Sequence, residues 1–69
     1  MAGDLSPTLI FTAQQKREAI ERELSYRRRV YPRWIEQNRM TKRQADQQMA
    51  IFEAIREDYA KAETSERLI

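Results

Sequence analysis

The stretch YPRWIEQNRMTKRQ, residues 31–44, separates two longer segments with helical periodicity. Pro32 lacks a backbone N–H and crowds the preceding turn, so it predicts a kink or break in any helix that reaches it. A turn is expected around residues 38–40. Thr41 followed by Gln44 then fits a capping box, in which two side chains satisfy free backbone N–H groups of a new helix. The stretch therefore predicts the bend of a helical hairpin.

The segment before the bend has the pattern of one long helix. Thr12 and Gln15 form another capping box, from which the helix is expected to run to about Val30. An alternative start is Ser6 with Pro7 at the first helical position. After the proline, residues 32–38 can form a short helix. Apolar residues recur at helical spacing on one face of the long helix: Ala13, Ile20, Leu24 and Tyr31.

The segment after the bend predicts a second helix. Its apolar residues are separated by steps of three and four, which makes a continuous stripe on one face. Residues from about Thr64 onward are expected to fray. The sequence thus divides into an N-terminal arm (1–11), a helical hairpin domain (12–63) and a frayed C-terminus (64–69). The stripe of the second helix consists of Ala45, Met49, Phe52, Ile55, Tyr59 and Ala62.

Length and composition favour an all-α fold. The chain has 69 residues with one Gly, two Pro and no Cys, which suits long helices and offers no disulfide. Two helices of similar length joined by a short connector form an antiparallel hairpin. A monomer this small buries only about 60% of its unfolded surface, so we expect two hairpins to pair as a homodimeric four-helix bundle. The alternative is a monomer in which residues 9–11 (Leu9, Ile10, Phe11) fold back as a lid.

Charge is distributed unevenly along the chain. Residues 26–43 contain seven cations and one acid, whereas residues 44–69 contain three cations and six acids. If the first helix ends near Val30, the arginines at 27–29 lie in its last turn, where the macrodipole favours cations. Lys42 and Arg43 have no such explanation, because the first turn of a helix disfavours positive charge and only Asp46 lies nearby. This asymmetry indicates an anionic partner for the bend.

Three interpretations of the basic bend remain open. It can bind nucleic acid through phosphate contacts, it can bind an acidic protein surface, or it can be a plain solvated face. Trp34 is either a core residue beside Ile35 or a platform on which a base stacks. The candidate binding residues are Arg28, Arg29, Arg33, Arg39, Lys42 and Arg43, with the aromatic residues Tyr26 and Trp34 among them.

The sequence does not indicate an enzyme. Without His or Cys there is no imidazole or thiolate for catalysis or metal binding, and a single Gly cannot form a phosphate-binding loop. Glu53, Glu57 and Asp58 lie close in sequence, but a solvated helix face with a Glu57–Lys61 ion pair is the simpler interpretation. We therefore expect no enzymatic activity and no cofactor. The apolar run at residues 9–11 is too short for a signal-peptide core or a membrane span, so a cytoplasmic protein is expected.

One segment resembles a known group of proteins. Residues 21–55, ERELSYRRRVYPRWIEQNRMTKRQADQQMAIFEAI, resemble short proteins encoded in phages and prophages that share an R-x-V-Y-P element, then M-T and an Ala-containing helix. The resemblance implies a phage or prophage origin and a cytoplasmic setting, but no functional residue. It favours a small accessory factor that binds nucleic acid or a protein working on it. The alternative to a nucleic-acid binder is an adaptor that docks a host or phage protein through the bend or residues 9–11. The matching residues are Arg28 or Arg29, Val30, Tyr31, Pro32, Met40, Thr41, Ala45 and Met49.

Overall fold

A computed structural model describes residues 10–67, which form two α-helices. Helix α1 comprises Ala13–Glu36 and helix α2 comprises Lys42–Arg67. The helices pack against each other as a hairpin, and no strand occurs in the described part of the chain. The expected all-α hairpin is therefore confirmed. Residues 1–9, which include the alternative start at Ser6 and most of the N-terminal arm, lie outside the described residues. So do residues 68–69.

Both helices begin with the capping boxes that the sequence predicts. In the first box, the Gln15 backbone N–H donates to Thr12 Oγ1 at 3.1 Å, and the Thr12 N–H donates to Gln15 Oε1 at 2.9 Å. In the second, the Gln44 N–H donates to Thr41 Oγ1 at 3.0 Å and the Thr41 N–H donates to Gln44 Oε1 at 2.9 Å. Each box satisfies two backbone donors that a helix start leaves free. Helix α2 continues to Arg67, beyond the position where fraying was expected.

Of the kink or break expected at Pro32, the break is wrong, because α1 runs through the proline and ends at Glu36. An interior proline disfavours a helix by about 3 kcal/mol relative to alanine. Packing on both sides of it opposes this cost. Val30 and Tyr31 precede the proline and are buried in the core cluster, and Trp34 and Ile35 follow it and pack against the same cluster. These contacts hold both sides of the proline in one helix.

Helix α1 ends in a Schellman motif that forms the bend. The Asn38 N–H donates to the Ile35 carbonyl at 3.0 Å, and the Arg39 N–H donates to the Trp34 carbonyl at 2.9 Å. Asn38 has a φ of 59°, in the left-handed region that asparagine tolerates better than most residues. The turn predicted for residues 38–40 is thus confirmed, and it reverses the chain direction between α1 and α2.

The core between the two helices is thin. Leu24, at 1% exposure, is the one large side chain fully enclosed within the described residues. Most of the predicted apolar stripe of α2 is only half-buried, and Ala62 is exposed. At the end of that stripe, Glu63 is buried instead. When only two helices pack together, each covers a narrow stripe of the other, and the apolar residues on either side of that stripe remain exposed to solvent. The buried apolar residues are Ala13, Leu24, Val30, Tyr31 and Ala45.

Candidate nucleic-acid interface at the basic bend

The position of the arginines at 27–29 differs from the expectation. Because α1 ends at Glu36 and not near Val30, these arginines lie about two turns inside the helix. The basic residue in the last turn is Arg33. The helix macrodipole acts mainly within the last turn, so it does not account for the earlier arginines. Each of them needs its own explanation.

Arg27 has a structural role. Its guanidinium lies over the Phe52 ring, 4.2 Å from the centroid, and 5.8 Å from the centroid of Tyr31. It donates hydrogen bonds to the Tyr31 hydroxyl and, at 2.8 Å, to Glu23. Partial burial opposes its charge, but the bonds to Tyr31 and Glu23 outweigh this and raise the pKa of Arg27. The side chain therefore joins α1 to α2 and is not available to a partner.

Arg28 and Lys42 line one shallow groove at the bend, together with Pro32. Arg28 Nη2 lies 3.4 Å from Glu53, and Lys42 Nζ lies 2.9 Å from Asp46. All four of these charged side chains are about half exposed or more, and such ion pairs contribute about 1 kcal/mol at most. Both cations can therefore exchange their carboxylate for a stronger anionic ligand at little cost.

Two other arginines lie over aromatic rings. The Arg29 guanidinium is 5.7 Å from the centroid of Tyr26, and that of Arg39 is 5.0 Å from the centroid of Trp34. Trp34 is half-buried, packs against the core cluster and has the Tyr31 ring at 5.7 Å. The contact between Arg39 and Trp34 joins the two positions that commonly touch in a Schellman motif. A base could stack on this face of Trp34 only by displacing Arg39.

Arg33 and Arg43 are exposed and make no ion pair with any acid among residues 10–67. No acidic residue occurs in the first turn of α2, where Arg43 lies. The candidate cations thus surround the bend end of the hairpin and do not form one flat patch. Of these, Arg28 and Lys42 share a groove. Four have no acidic partner in the described chain: Arg29, Arg33, Arg39 and Arg43.

Sequence reasoning missed a polar cluster at the other end of the hairpin. Arg17 Nε donates to Glu63 Oε1 at 2.6 Å, and Arg17 also pairs with Glu21 at 3.0 Å. Arg67 donates to the second Glu63 oxygen at 3.0 Å, while Glu66 accepts from the Ala13 N–H. The hydrogen bond from Arg17 lowers the pKa of Glu63, and the bonds to Glu63 and Glu21 raise the pKa of Arg17. This cluster joins the two free ends of the hairpin.

Helical spacing could have revealed that cluster. Arg17 lies four residues after buried Ala13, and Glu63 lies four residues after Tyr59 in the stripe of α2. Both charged residues therefore occupy positions on the inward faces, where an unpaired charge would be unfavourable. Two opposite charges at inward positions near the free ends of an antiparallel hairpin predict an ion pair between the helices.

The remaining surfaces offer little for other chemistry. Among the described residues, no group of three or more acidic side chains could hold a metal ion. Neither α1 nor α2 is long and apolar enough to cross a lipid bilayer. Comparison of the chain with protein-family models, curated proteins and solved structures found no match.

Proposed function

We propose that this chain is a small, non-enzymatic accessory protein of phage or prophage type that binds nucleic acid through its basic bend. The observation that supports this best is the set of four arginines at the bend without an acidic partner in the described chain. Guanidinium groups donate paired hydrogen bonds to phosphate oxygens. Neutralising phosphates releases condensed counterions, and this release drives binding that does not depend on sequence.

The location of these charges supports the proposal. Arg43 lies in the first turn of α2, where the free N–H groups already create positive potential, and its turn has no acid to offset it. The positive charge of Lys42 is balanced only by its exposed ion pair with Asp46. A fold without an anionic ligand gains nothing from this arrangement. A phosphate backbone lying against the bend would be attracted by the cations and by the helix start together.

The aromatic residues favour phosphate contacts over base recognition. Trp34 is half-buried and has Arg39 over its ring. Tyr26 is 43% exposed, but Arg29 lies over it. Neither ring is an open platform for a stacked base. We therefore propose binding without base readout and with little preference between sequences.

A fluorescence-anisotropy titration tests the proposal, with labelled DNA and RNA, single-stranded and double-stranded, at about 50 and 200 mM salt. With five or six phosphates neutralised, the affinity for duplex should fall roughly 1,000-fold between the two salt concentrations. A chain that does not bind any of the four polymers at the lower salt concentration would refute the proposal. If the chain does bind, the polymer that it prefers defines the class of nucleic acid.

A matched pair of variants locates the site. Arg29→Gln/Arg43→Gln removes two exposed bend cations, and Arg22→Gln/Lys61→Gln removes two exposed cations from the rest of the hairpin, so the net charge changes equally. The bend variant should lose about 10- to 30-fold in affinity, and the slope of log K against log salt should decrease by about two. The control should lose less than threefold. Equal losses in both variants would contradict a local site.

A protein adaptor is the second candidate, and one observation favours it. Ile10 is 89% exposed and Phe11 is 50% exposed, so two adjacent large apolar residues lie open before α1. Leu9, the third residue of this segment, lies outside the described residues. An apolar anchor of this kind would retain its partner in moderate salt and in excess heparin, whereas a nucleic-acid complex would dissociate. Competition with heparin in a pull-down therefore separates the two functions.

The thin core supports a further part of the proposal, that the functional unit is a homodimeric four-helix bundle. A single hairpin buries five apolar side chains among its described residues, few for an independently stable domain of this length. Pairing two hairpins would cover the open flanks of both stripes. Light scattering behind size exclusion should give the mass of two chains at micromolar concentration. The mass of one chain would refute the bundle.

A further inference from the structure

We infer that a second copy of the chain docks on one particular face of the hairpin, in antiparallel orientation, so that the two basic bends lie at opposite ends of the bundle. This inference rests on the proposed dimer and adds the contact face and the direction. The occupant of the open apolar face is another copy of this chain. The result would be a particle with a phosphate-binding end at each extremity.

The contact face follows from the register of the two helices. Arg27 and Phe52 face each other across the hairpin, with 4.2 Å between the guanidinium and the ring centroid. The residues that follow them, Arg28 and Glu53, pair on one side of this contact. Each residue of a helix is rotated about 100° from the next, so the residues that precede them, Tyr26 and Ile51, lie together on the other side. That side has no charged pair joining the helices at this level.

Apolar residues recur along this face on both helices, with the exposed charged residues Arg22, Arg33 and Asp58 at positions between or beyond them. Tyr26 is 43% exposed and Ile51 is 44% exposed. Ile55, one turn after Ile51, is half-buried, and Ala62, two turns further, is exposed. On α1, Ala19 lies two turns before Tyr26 and is also exposed. Large apolar side chains at the middle and small ones toward the free ends allow two helical layers to approach closely.

A second copy suits this face because the face is self-complementary. Ile51 and Ile55 lie near the middle of α2, which comprises 26 residues. In a two-fold contact each patch meets the same patch on its partner, and a patch centred on the middle of the helix keeps both helices overlapped along their full length. The contact would bury the apolar side chains that one hairpin leaves open. It would thereby supply the missing part of the core.

Charge determines the direction. Residues 26–43 have a net charge of +6, and residues 44–69 have a net charge of −3. A parallel pair would place two basic bends side by side, and such like-charge contacts are strongly unfavourable. An antiparallel pair instead places each bend beside the free ends of the partner's helices, and there residues 55–67 of α2 contain four acids and three cations. Avoiding the repulsion between two basic bends therefore selects the antiparallel arrangement.

Distance measurement by pulsed electron spin resonance tests the direction. The chain has no cysteine, so Ser65→Cys, at an exposed position near the free end of α2, provides a unique spin-label site. With a rise of 1.5 Å per residue, antiparallel pairing should place the two labels about 35 to 45 Å apart. Parallel pairing would bring them within about 20 Å, the width of a helical bundle. The shorter distance would overturn the inferred direction, and dilution with unlabelled chain should remove either signal.

A second variant pair tests the face by sedimentation. Ile51→Glu places a carboxylate on the inferred contact in both copies, and should weaken the dimer at least 100-fold. Ala50→Glu adds the same charge one residue earlier, at an exposed position about 100° around the helix and away from the inferred contact, and should change the dimer affinity less than threefold. A dimer that survives Ile51→Glu would overturn the face, and the label distance in Ser65→Cys is independent of this variant's folding.

The outcomes separate this inference from the binding function. The anisotropy of a labelled polymer reports nucleic-acid binding whether or not the chain dimerises. Binding by a chain that remains a monomer at about 100 µM would retain the proposed function and overturn the inference. An antiparallel dimer that binds no nucleic acid would retain the inference and refute the proposed function.

Discussion

Replacing Pro32 with alanine tests whether packing, and not the local sequence, carries α1 through the proline. Proline in a helix interior is about 3 kcal/mol less favourable than alanine, and Pro32 lies four residues before the end of α1 at Glu36. Alanine also gives the unfolded chain more conformational freedom, which offsets about 0.4 to 1 kcal/mol. The variant should therefore be more stable by about 2 kcal/mol. For a domain of this size the midpoint of thermal unfolding should rise by roughly 10 °C.

Urea unfolding followed by circular dichroism at 222 nm measures this change. The protein concentration must be the same for all variants, because the stability of a dimer depends on it. Glu36→Ala is the matched control, since Glu36 is exposed one turn after Pro32 and has no ion pair in the described chain. Its effect should stay within about 0.5 kcal/mol.

An unchanged stability in Pro32→Ala would refute this reasoning. If α1 ended near Val30 and a new helix began at Pro32, proline would occupy a first helical position, where its missing N–H and fixed φ are tolerated. Alanine would then bring no gain. The experiment thus distinguishes a helix that passes through the proline from the broken helix that the sequence predicts.

Three further changes test the contacts that close the hairpin. Glu63→Gln should lower stability at pH 7 and flatten its acid dependence. The pKa of Glu63 is lowered in the fold, so its contribution is present above the unfolded carboxyl pKa of about 4.3 and is lost as the pH falls through the lower folded value. Thermal unfolding between pH 3 and 7 measures both effects. Arg27→Met should lower the free energy of unfolding by about 1 to 2 kcal/mol, because it removes the cation over Phe52 and the bond to Tyr31. Arg28→Met, at an exposed pair, should change it by less than about 0.5 kcal/mol, and a similar loss in both variants would contradict the assignment of Arg27 to the core. Thr41→Ala should cost about 1 kcal/mol and speed hydrogen exchange of the Gln44 amide, and an unchanged exchange rate would show that the cap contributes nothing.

The parts of the fold that follow from local rules were predictable. Capping boxes depend on two side chains three residues apart, and both boxes at Thr12 and Thr41 occur where the sequence places them. The bend at residues 38–40 follows from the same logic, because the chain must turn between two capped helices. Apolar spacing indicated the inward faces, including buried Leu24 and Ala45.

The parts that depend on contacts between the helices were not predictable by those rules. Pro32 is unfavourable in a helix by every local criterion, and only the packed cluster on both sides explains its position. Arg27 could be assigned to a helix end by sequence, but Phe52, 25 residues later, supplies its environment. The partly buried pair of Arg17 with Glu63 likewise joins residues that are far apart in the chain. A prediction made from one helix at a time cannot include contacts between residues on different helices.

The direction in which each arginine of the candidate site points also depends on helix geometry. It determines whether the bend can contact both a second chain and a phosphate. In the inferred antiparallel dimer, the cations of the bend would lie near the free ends of the partner's helices as well as near any phosphate. Arg33 lies seven residues after Tyr26, on the inferred contact face, whereas Arg43 lies two residues before buried Ala45 and points away from the seam. In that dimer Arg33 would therefore face the partner chain, whereas Arg43 would face solvent and any bound phosphate. The proposed dimer and the proposed nucleic-acid binding are compatible, because these two arginines face different directions. Dimerisation would therefore remove at most part of the phosphate-binding charge.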